Sequence, residues 1–193
     1  MHHETVTIAL PKWTENFLST QDKTFLDIEQ RMSLALELAK LNIEHKTGGP
    51  FAAAIFEQQT GKLISVGVNL VTSTNCSIAH AEIVAIAIAQ KKLETFDLYA
   101  DNTPRQLVTT TEPCAMCLGA IPWSGIRSVV CGAKDEDARQ IGFDEGAKPK
   151  DWIDQLKNRN IEVTRNIKRQ QAIEILRSYV NHGGKIYNPK KNG

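Results

Sequence analysis

The segment Cys-Ser-Ile-Ala-His-Ala-Glu-Ile-Val spans residues 76–84, and the segment Glu-Pro-Cys-Ala-Met-Cys follows at residues 112–117. Together they offer one imidazole, one carboxylate two residues after it, and two thiols three residues apart. A catalytic zinc ion takes three protein ligands and leaves one position for water, and His80, Cys114 and Cys117 are suitable ligands. The two segments therefore predict a catalytic site with one Zn²⁺ per subunit.

Glu82 is predicted to act beside the metal without binding it. Residues two apart on a helix face nearly opposite directions, so Glu82 and His80 are poorly placed to hold one ion together. A carboxylate beside a metal-bound water can instead take its proton and pass it to a substrate. Cys114 follows Pro113 and is expected to open a helix, whose positive end favours the thiolate.

Hydrophobic periodicity and turn residues predict alternating helices and strands. Helices are expected over residues 27–45, 79–93, 114–123, 135–140, 151–158 and 167–181, and strands over residues 51–57, 62–69, 106–110, 128–132 and 162–165. The first two strands should pair as a hairpin, and the third and fourth should be parallel because a helix connects them. The pattern predicts an α/β protein, a three-layer α/β/α sandwich around a five-stranded mixed sheet. Residues 1–22 show no such pattern and are expected to be irregular.

Length and composition limit the classes of protein to which this chain can belong. The chain has 193 residues, of which 41% are hydrophobic and 23% charged, so one globular domain over residues 27–181 is expected, with an N-terminal extension (1–26) and a C-terminal tail (182–193). A formal net charge of +1 gives no electrostatic reason to expect nucleic-acid binding. The sequence shows no leader pattern and no apolar run long enough to span a membrane, so a cytoplasmic protein is expected. Its cysteines should be reduced, and Cys76 and Cys131 are expected to be small buried hydrophobic residues.

The paired His-x-Glu and Pro-Cys-x-x-Cys segments resemble the zinc-dependent base deaminases of the cytidine deaminase-like superfamily. More narrowly, the chain resembles bacterial guanine deaminases, from about Arg31 to the C-terminus. The resemblance is carried by Gly-Gly-Pro-Phe (48–51), Ala-His-Ala-Glu (79–82), Glu-Pro-Cys-Ala-Met-Cys-Leu-Gly-Ala-Ile (112–121), Trp123 and Gly-Phe-Asp-Glu-Gly (142–146). It implies the cytidine deaminase-like fold, a homodimer, and hydrolysis of guanine to xanthine and ammonia in purine metabolism.

The resemblance also implies how the base is held. Guanine presents hydrogen-bond donors at N1 and at its 2-amino group, which one carboxylate can accept together, whereas N1 of adenine is an acceptor. Glu145 matches the acidic residue that contacts the base and helps to protonate the leaving amine, and Asp144 is the near alternative. Several relatives have aspartate at the position of Glu145, so the carboxylate of this chain stands one methylene group further from the backbone.

Further substrate contacts follow from the same resemblance. Asn69 matches an asparagine that hydrogen-bonds the purine, and Phe51 and Trp123 match aromatic positions that wall the pocket. Ala81 belongs to the matching segment beside His80 and is included among the substrate-binding candidates. Tyr187 is a candidate lid residue, because the C-terminal segment of the family closes over the active site of its own or the partner subunit.

Two other interpretations stay open on the sequence. The substrate could be another base or nucleoside, such as adenosine in tRNA, cytosine, or an aminotriazine such as ammeline. Alternatively, the chain could be a non-catalytic zinc protein with a closed metal shell and Cys76 as a fourth ligand. An enzyme is distinguished from that protein by turnover that depends on Glu82.

Overall fold

The computed structural model describes residues 4–189, and within them one sheet of five strands organises the chain. The strands are β1 (Ala52–Glu57), β2 (Leu63–Val68), β3 (Arg105–Thr111), β4 (Ser128–Ala133) and β5 (Glu162–Thr164). Their order is β2-β1-β3-β4-β5. β1 is antiparallel to both of its neighbours, whereas β3, β4 and β5 are parallel. The predicted hairpin and the predicted parallel pair are both confirmed.

Helices cover both faces of the sheet. They are α1 (Trp13–Ser19), α2 (Ile28–Glu44), α3 (Val71–Thr74), α4 (Ala81–Lys92), α5 (Ala115–Trp123), α6 (Asp135–Gln140), α7 (Trp152–Lys157) and α8 (Arg169–Asn181). α2 and α8 pack on one face, and α4, α5 and α7 share a hydrophobic cluster on the other. This arrangement confirms the predicted three-layer α/β/α sandwich around a five-stranded mixed sheet.

Local sequence explains where the first long helix begins. The Asp27 side chain accepts a hydrogen bond from Glu29 N, and Gln30 bonds back to the Asp27 backbone, which forms a capping box. At the centre of the sheet, every residue of β3 is buried. The strand that leads into the Pro-Cys-x-x-Cys segment is therefore held on both sides and both faces.

The N-terminal region is more ordered than its sequence indicates. Residues 4–22 contain α1, and the Trp13 indole stacks on His45 with ring centroids 5.2 Å apart and donates to Thr47 Oγ1 at 3.1 Å. The expectation of an irregular segment is wrong over Trp13–Ser19, because a seven-residue helix without a side-chain cap leaves little periodic signal, and residues 1–3 of that prediction lie outside the described residues. The division of the chain at residue 26 stays a prediction.

No helix within residues 4–189 combines the length and the apolar character needed to cross a membrane.

Candidate metal centre and substrate cavity

Two helix starts bring the predicted metal ligands together. His80 is the N-cap residue of α4, Cys114 is the N-cap residue of α5, and Cys117 lies one turn into α5. The ligand atoms of these three residues all lie within 4.8 Å of one another. His80 Nδ1 is 3.5 Å from Cys114 Sγ. Tetrahedral zinc with ordinary Zn–N and Zn–S bonds places such atoms about 3.6 Å apart, so the geometry fits zinc.

The electrostatics of the cluster also suit a zinc ion. Hydrogen bonds to Cys117 and then to His80 outweigh burial and lower the pKa of the Cys114 thiol to about 4. Its position at the N-terminus of α5 acts in the same direction, because the helix dipole favours negative charge there. Zinc is bound by thiolates and neutral imidazole, so Cys114 is already in the form that binds the metal. The hydrogen bond with Cys114, followed by burial, raises the pKa of the Cys117 thiol well above its usual value, so Cys117 gives up its proton when the metal binds.

The cluster has three members among residues 4–189, and no fourth His, Cys, Asp or Glu joins it. Cys76 is half-buried and is not part of the cluster, so the closed four-ligand shell of the non-catalytic interpretation is not supported. Cys131 is buried on β4 as a small core residue. Three ligands leave a coordination position for water, which is the arrangement of catalytic zinc.

Glu82 lies at the second position of α4, and its side chain is buried. His80 precedes the helix with an extended backbone (φ −71°, ψ 155°), so the helical rotation used to separate the two residues does not apply. Both residues line the same cavity, yet Glu82 stays outside the ligand cluster. Burial, followed by the nearby Cys114 charge, raises the pKa of Glu82. A carboxyl group with a raised pKa beside a metal site is suited to proton transfer.

A small cavity of about 130 Å³ opens against the metal cluster. It receives side chains from the ends of β2 and β3, the starts of α4 and α5, the 142–146 loop and the C-terminal tail. Its lining residues are Phe51, Asn69, Val71, Ser77, His80, Glu82, Thr109, Thr111, Glu112, Cys114, Phe143, Asp144, Glu145, Tyr187, Asn188 and Pro189. The cavity is far below the ~300–1,000 Å³ typical of drug-sized ligand pockets, so it suits a single small ring system.

Three aromatic rings wall this cavity. Phe143 packs edge-on against Phe51 at a centroid distance of 4.9 Å and against Tyr187 at 5.0 Å. Phe143 was not among the predicted site residues, although it stands inside the Gly-Phe-Asp-Glu segment that carries the resemblance. Thr109 and Thr111 were not predicted either, and their only signal in the sequence is their alternation on the strand that leads to Cys114.

The two neighbouring acidic residues of the 142–146 loop have different surroundings. Glu145 is buried at the cavity, and its backbone oxygen accepts a hydrogen bond from Ala115 N at 2.9 Å. Asp144 is exposed, and its carboxylate accepts from Gly146 N and lies 3.8 Å from the Arg139 guanidinium. Burial, and then the charges of Cys114 and Glu82, raise the pKa of Glu145 to about 8. A cation held by the cluster would oppose that rise, since it offsets the negative charge of Cys114.

Asn69 lies just after β2 and is almost fully buried at the cavity. Its backbone oxygen accepts from Asn42 Nδ2 at 2.9 Å, and its side-chain oxygen accepts from Val71 N at 3.3 Å. Among residues 4–189, no acceptor pairs with its side-chain nitrogen. Asn69 is thus held from several directions and keeps one amide donor for a ligand.

The C-terminal tail lies against the active-site cavity of its own chain. Asn188 donates from Nδ2 to Gly142 O at 2.8 Å and accepts at Oδ1 from Asp144 N at 2.9 Å, which fastens the tail to the 142–146 loop. The Tyr187 hydroxyl is buried beside Gly49, where an added Cβ would lie 2.3 Å from it. Residues 190–193, the rest of the predicted tail, lie outside the described residues.

Two predicted substrate contacts are not brought to this cavity. Ala81 is buried in the first turn of α4, with its backbone oxygen close to Gly67, and is not a lining residue. Trp123 is 88% exposed at the end of α5 and also does not line the cavity. Phe143 and Tyr187, together with Phe51, form the aromatic wall instead.

One histidine and two cysteines at two helix starts, with a buried glutamate beside them on an α/β/α sandwich, are the arrangement found in zinc-dependent hydrolytic deaminases. Residues 26–133 match the family described as the cytidine and deoxycytidylate deaminase zinc-binding region. The chain belongs to this family.

Three individual relatives carry a named activity or a named ligand. A solved structure of guanine deaminase from Nitrosomonas europaea is 44% identical, covers 93% of this chain and 98% of its own, and superposes with a TM-score of 0.87. Another solved structure, a complex with 2,6-diaminopurine, is 46% identical, covers 94% of this chain and 96% of its own, and has a TM-score of 0.88. Guanine deaminase from Bacillus subtilis (strain 168) is 40% identical over 117 residues, which are 61% of this chain and 71% of that protein.

Proposed function

We propose that this enzyme hydrolyses guanine to xanthine and ammonia. The observation that carries the proposal is the position of Glu145, a buried carboxylate that lines the same small cavity as the metal ligands His80 and Cys114. Similarity to guanine deaminases from Nitrosomonas europaea and Bacillus subtilis, and to a structure holding 2,6-diaminopurine, supports a purine that carries a 2-amino group.

His80, Cys114 and Cys117 would hold the zinc ion, which when bound lowers the pKa of a water molecule towards neutrality. Glu82 takes one proton from the attacking water and delivers it to N3 of guanine as the new C–O bond forms at C2. The second water proton moves to the 2-amino nitrogen, assisted by Glu145. The C2–N bond then breaks, its electron pair leaves with the nitrogen, and the products are xanthine and ammonia.

The remaining cavity residues orient the base. Glu145, when ionised, accepts from N1 and the 2-amino group of guanine, and the free amide donor of Asn69 serves an acceptor atom of the ring. Phe51, Phe143 and Tyr187 enclose the ring with apolar surface. The tail, fastened through Asn188, excludes bulk water, and this strengthens the hydrogen bonds that select the base.

A substrate panel tests the proposal directly. Steady-state assays on purified zinc-loaded protein should give turnover on guanine that exceeds turnover on adenine, cytosine, guanosine and ammeline. Adenine is rejected because its N1 is an acceptor and would face the carboxylate of Glu145. Guanosine is disfavoured because a cavity of about 130 Å³ has little room for a ribose while the tail is closed. If guanine were not consumed while another compound was, the assignment of guanine as the substrate would be overturned.

Action on adenosine in tRNA is the second candidate, because the superfamily resemblance includes it. The net charge of +1 and the closed tail both oppose it. Binding of tRNA that falls steeply with salt would favour this candidate over guanine.

We also infer that the enzyme is a homodimer, as the resemblance implies, and that it works in the cytoplasm, where its four unpaired thiols stay reduced. The support for the dimer is the outer surface of α4 and α5. α5 has the apolar sequence Ala-Met-Cys-Leu-Gly-Ala-Ile-Pro-Trp, yet only Cys117 and Ile121 are buried. Ile83 and Ala87 of α4 continue this surface towards Trp123, so α4 is not covered on every face. A contiguous apolar surface of this kind marks an interface, and a second copy of the chain is the proposed occupant.

Trp123→Glu is expected to convert the dimer to a monomer, because it places a charge in the centre of the proposed interface. Size-exclusion chromatography with light scattering reports the mass directly. Val180→Glu is the matched control, since Val180 is an exposed apolar residue (39%) on α8 at the opposite face of the sheet. A monomeric wild type would contradict the dimer, and a Trp123→Glu variant that stays dimeric would contradict this surface as its interface.

A further inference from the structure

Three consecutive threonines end the central strand β3, and all three are buried. Side chains alternate along a strand, so Thr109 and Thr111 share one face and Thr110 points to the other. Thr110 Oγ1 accepts a hydrogen bond from Ala52 N at 3.2 Å and is therefore satisfied within the fold. Thr109 and Thr111 line the substrate cavity.

The Thr111 hydroxyl lacks a partner. Thr111 is 4% exposed, and among residues 4–189 no donor or acceptor bonds to its Oγ1. Buried polar atoms are nearly always paired, so an exception needs an explanation. Two hydroxyl groups in the described part of the chain are buried and unpaired, those of Thr111 and Tyr187, and both residues line this one cavity.

We infer that Thr111 is a substrate-binding residue whose hydroxyl hydrogen-bonds the bound purine. This inference rests on the proposed function and adds a contact that the sequence did not predict. A hydroxyl both donates and accepts, so it can serve either a ring nitrogen or an exocyclic group of the base. Its place on the central strand makes it a rigid contact, unlike the loop and tail residues that complete the cavity.

Adjacent threonines allow a matched test. Thr111→Val removes a hydroxyl without a protein partner, whereas Thr110→Val removes one that is bonded to Ala52 N. Thr111→Ser keeps the hydroxyl. Binding of 8-azaguanine, a close analogue of guanine, is measured by calorimetry in the zinc-loaded Glu82→Gln background to prevent turnover. Thermal unfolding and the kcat and KM for guanine are measured with Glu82 intact.

Thr111→Val should weaken 8-azaguanine binding about tenfold, the effect of one lost hydrogen bond, without lowering the unfolding midpoint. Thr110→Val should lower the midpoint and leave the affinity near that of its parent. Thr111→Ser should restore affinity to within about twofold. A merely structural role for Thr111 predicts the reverse, a lower midpoint with unchanged affinity.

Equal affinities for 8-azaguanine in the parent and in Thr111→Val, together with turnover of guanine by the wild type, would overturn the inference about Thr111 and leave the proposed function standing. If the wild type neither consumes guanine nor binds 8-azaguanine, the proposed function fails and the inference fails with it. Should Thr111→Val lose zinc or fold poorly, Thr111→Ala answers the same question, because it also removes the hydroxyl.

Discussion

Glu82→Gln is expected to lower kcat for guanine by about 10³-fold while zinc content and fold are retained. Glutamine has nearly the shape of glutamate and can still donate and accept hydrogen bonds, but it cannot take a proton from water at neutral pH. The three metal ligands are unchanged, because Glu82 lies outside their cluster. Burial raises the pKa of Glu82, so a neutral side chain at this position should not destabilise the metal-free protein.

The measurement combines steady-state kinetics with zinc analysis and circular dichroism on the same preparations. Glu44→Gln is the control, since Glu44 is an exposed carboxylate on α2 that pairs weakly with Lys40 at 3.8 Å. Near-normal turnover by zinc-loaded Glu82→Gln would remove the proposed proton-transfer role. Loss of zinc in that variant would instead show that Glu82 stabilises the metal site.

Removal of zinc by a strong chelator is expected to abolish turnover and lower the unfolding midpoint, and added Zn²⁺ should restore both. Activity is lost because the bound metal is what lowers the pKa of the attacking water towards neutrality, and stability is lost because the metal binds the folded arrangement of His80, Cys114 and Cys117.

Cys117→Ala should give the same result without a chelator, with zinc falling from about one ion per chain to almost none. Cys76→Ala is the matched control, because Cys76 is a half-buried thiol close in sequence to His80 but outside the cluster. Full zinc content in Cys117→Ala, or loss of zinc in Cys76→Ala, would contradict the ligand set.

Much of the fold was predictable because its signals are local. The periodicity of the apolar residues and the turn residues between them place the long elements within a few residues of their observed bounds. α1 was not predictable in this way. Its position depends on the contacts of Trp13 with His45 and Thr47, which are more than thirty residues away in sequence.

The substrate cavity was only partly predictable, because its lining comes from distant segments. Resemblance named both Asp144 and Glu145, and both line the cavity, but only the folded loop shows that Glu145 is buried while Asp144 is exposed and bonds to Gly146 N. Trp123 has the residue type of a pocket wall, yet the start and direction of α5 place it on the outside of the chain. Thr111 carries no motif at all.

The sequence by itself determined which residues can bind the metal. One imidazole and two thiols at these spacings form a zinc ligand set once the starts of their two helices lie side by side. Tertiary structure alone decided which side chains surround the substrate. The 142–146 loop, the end of β3 and the C-terminal tail converge on one cavity through long-range packing and hydrogen bonds such as that between Asn188 and Gly142, and no local pattern encodes such a meeting.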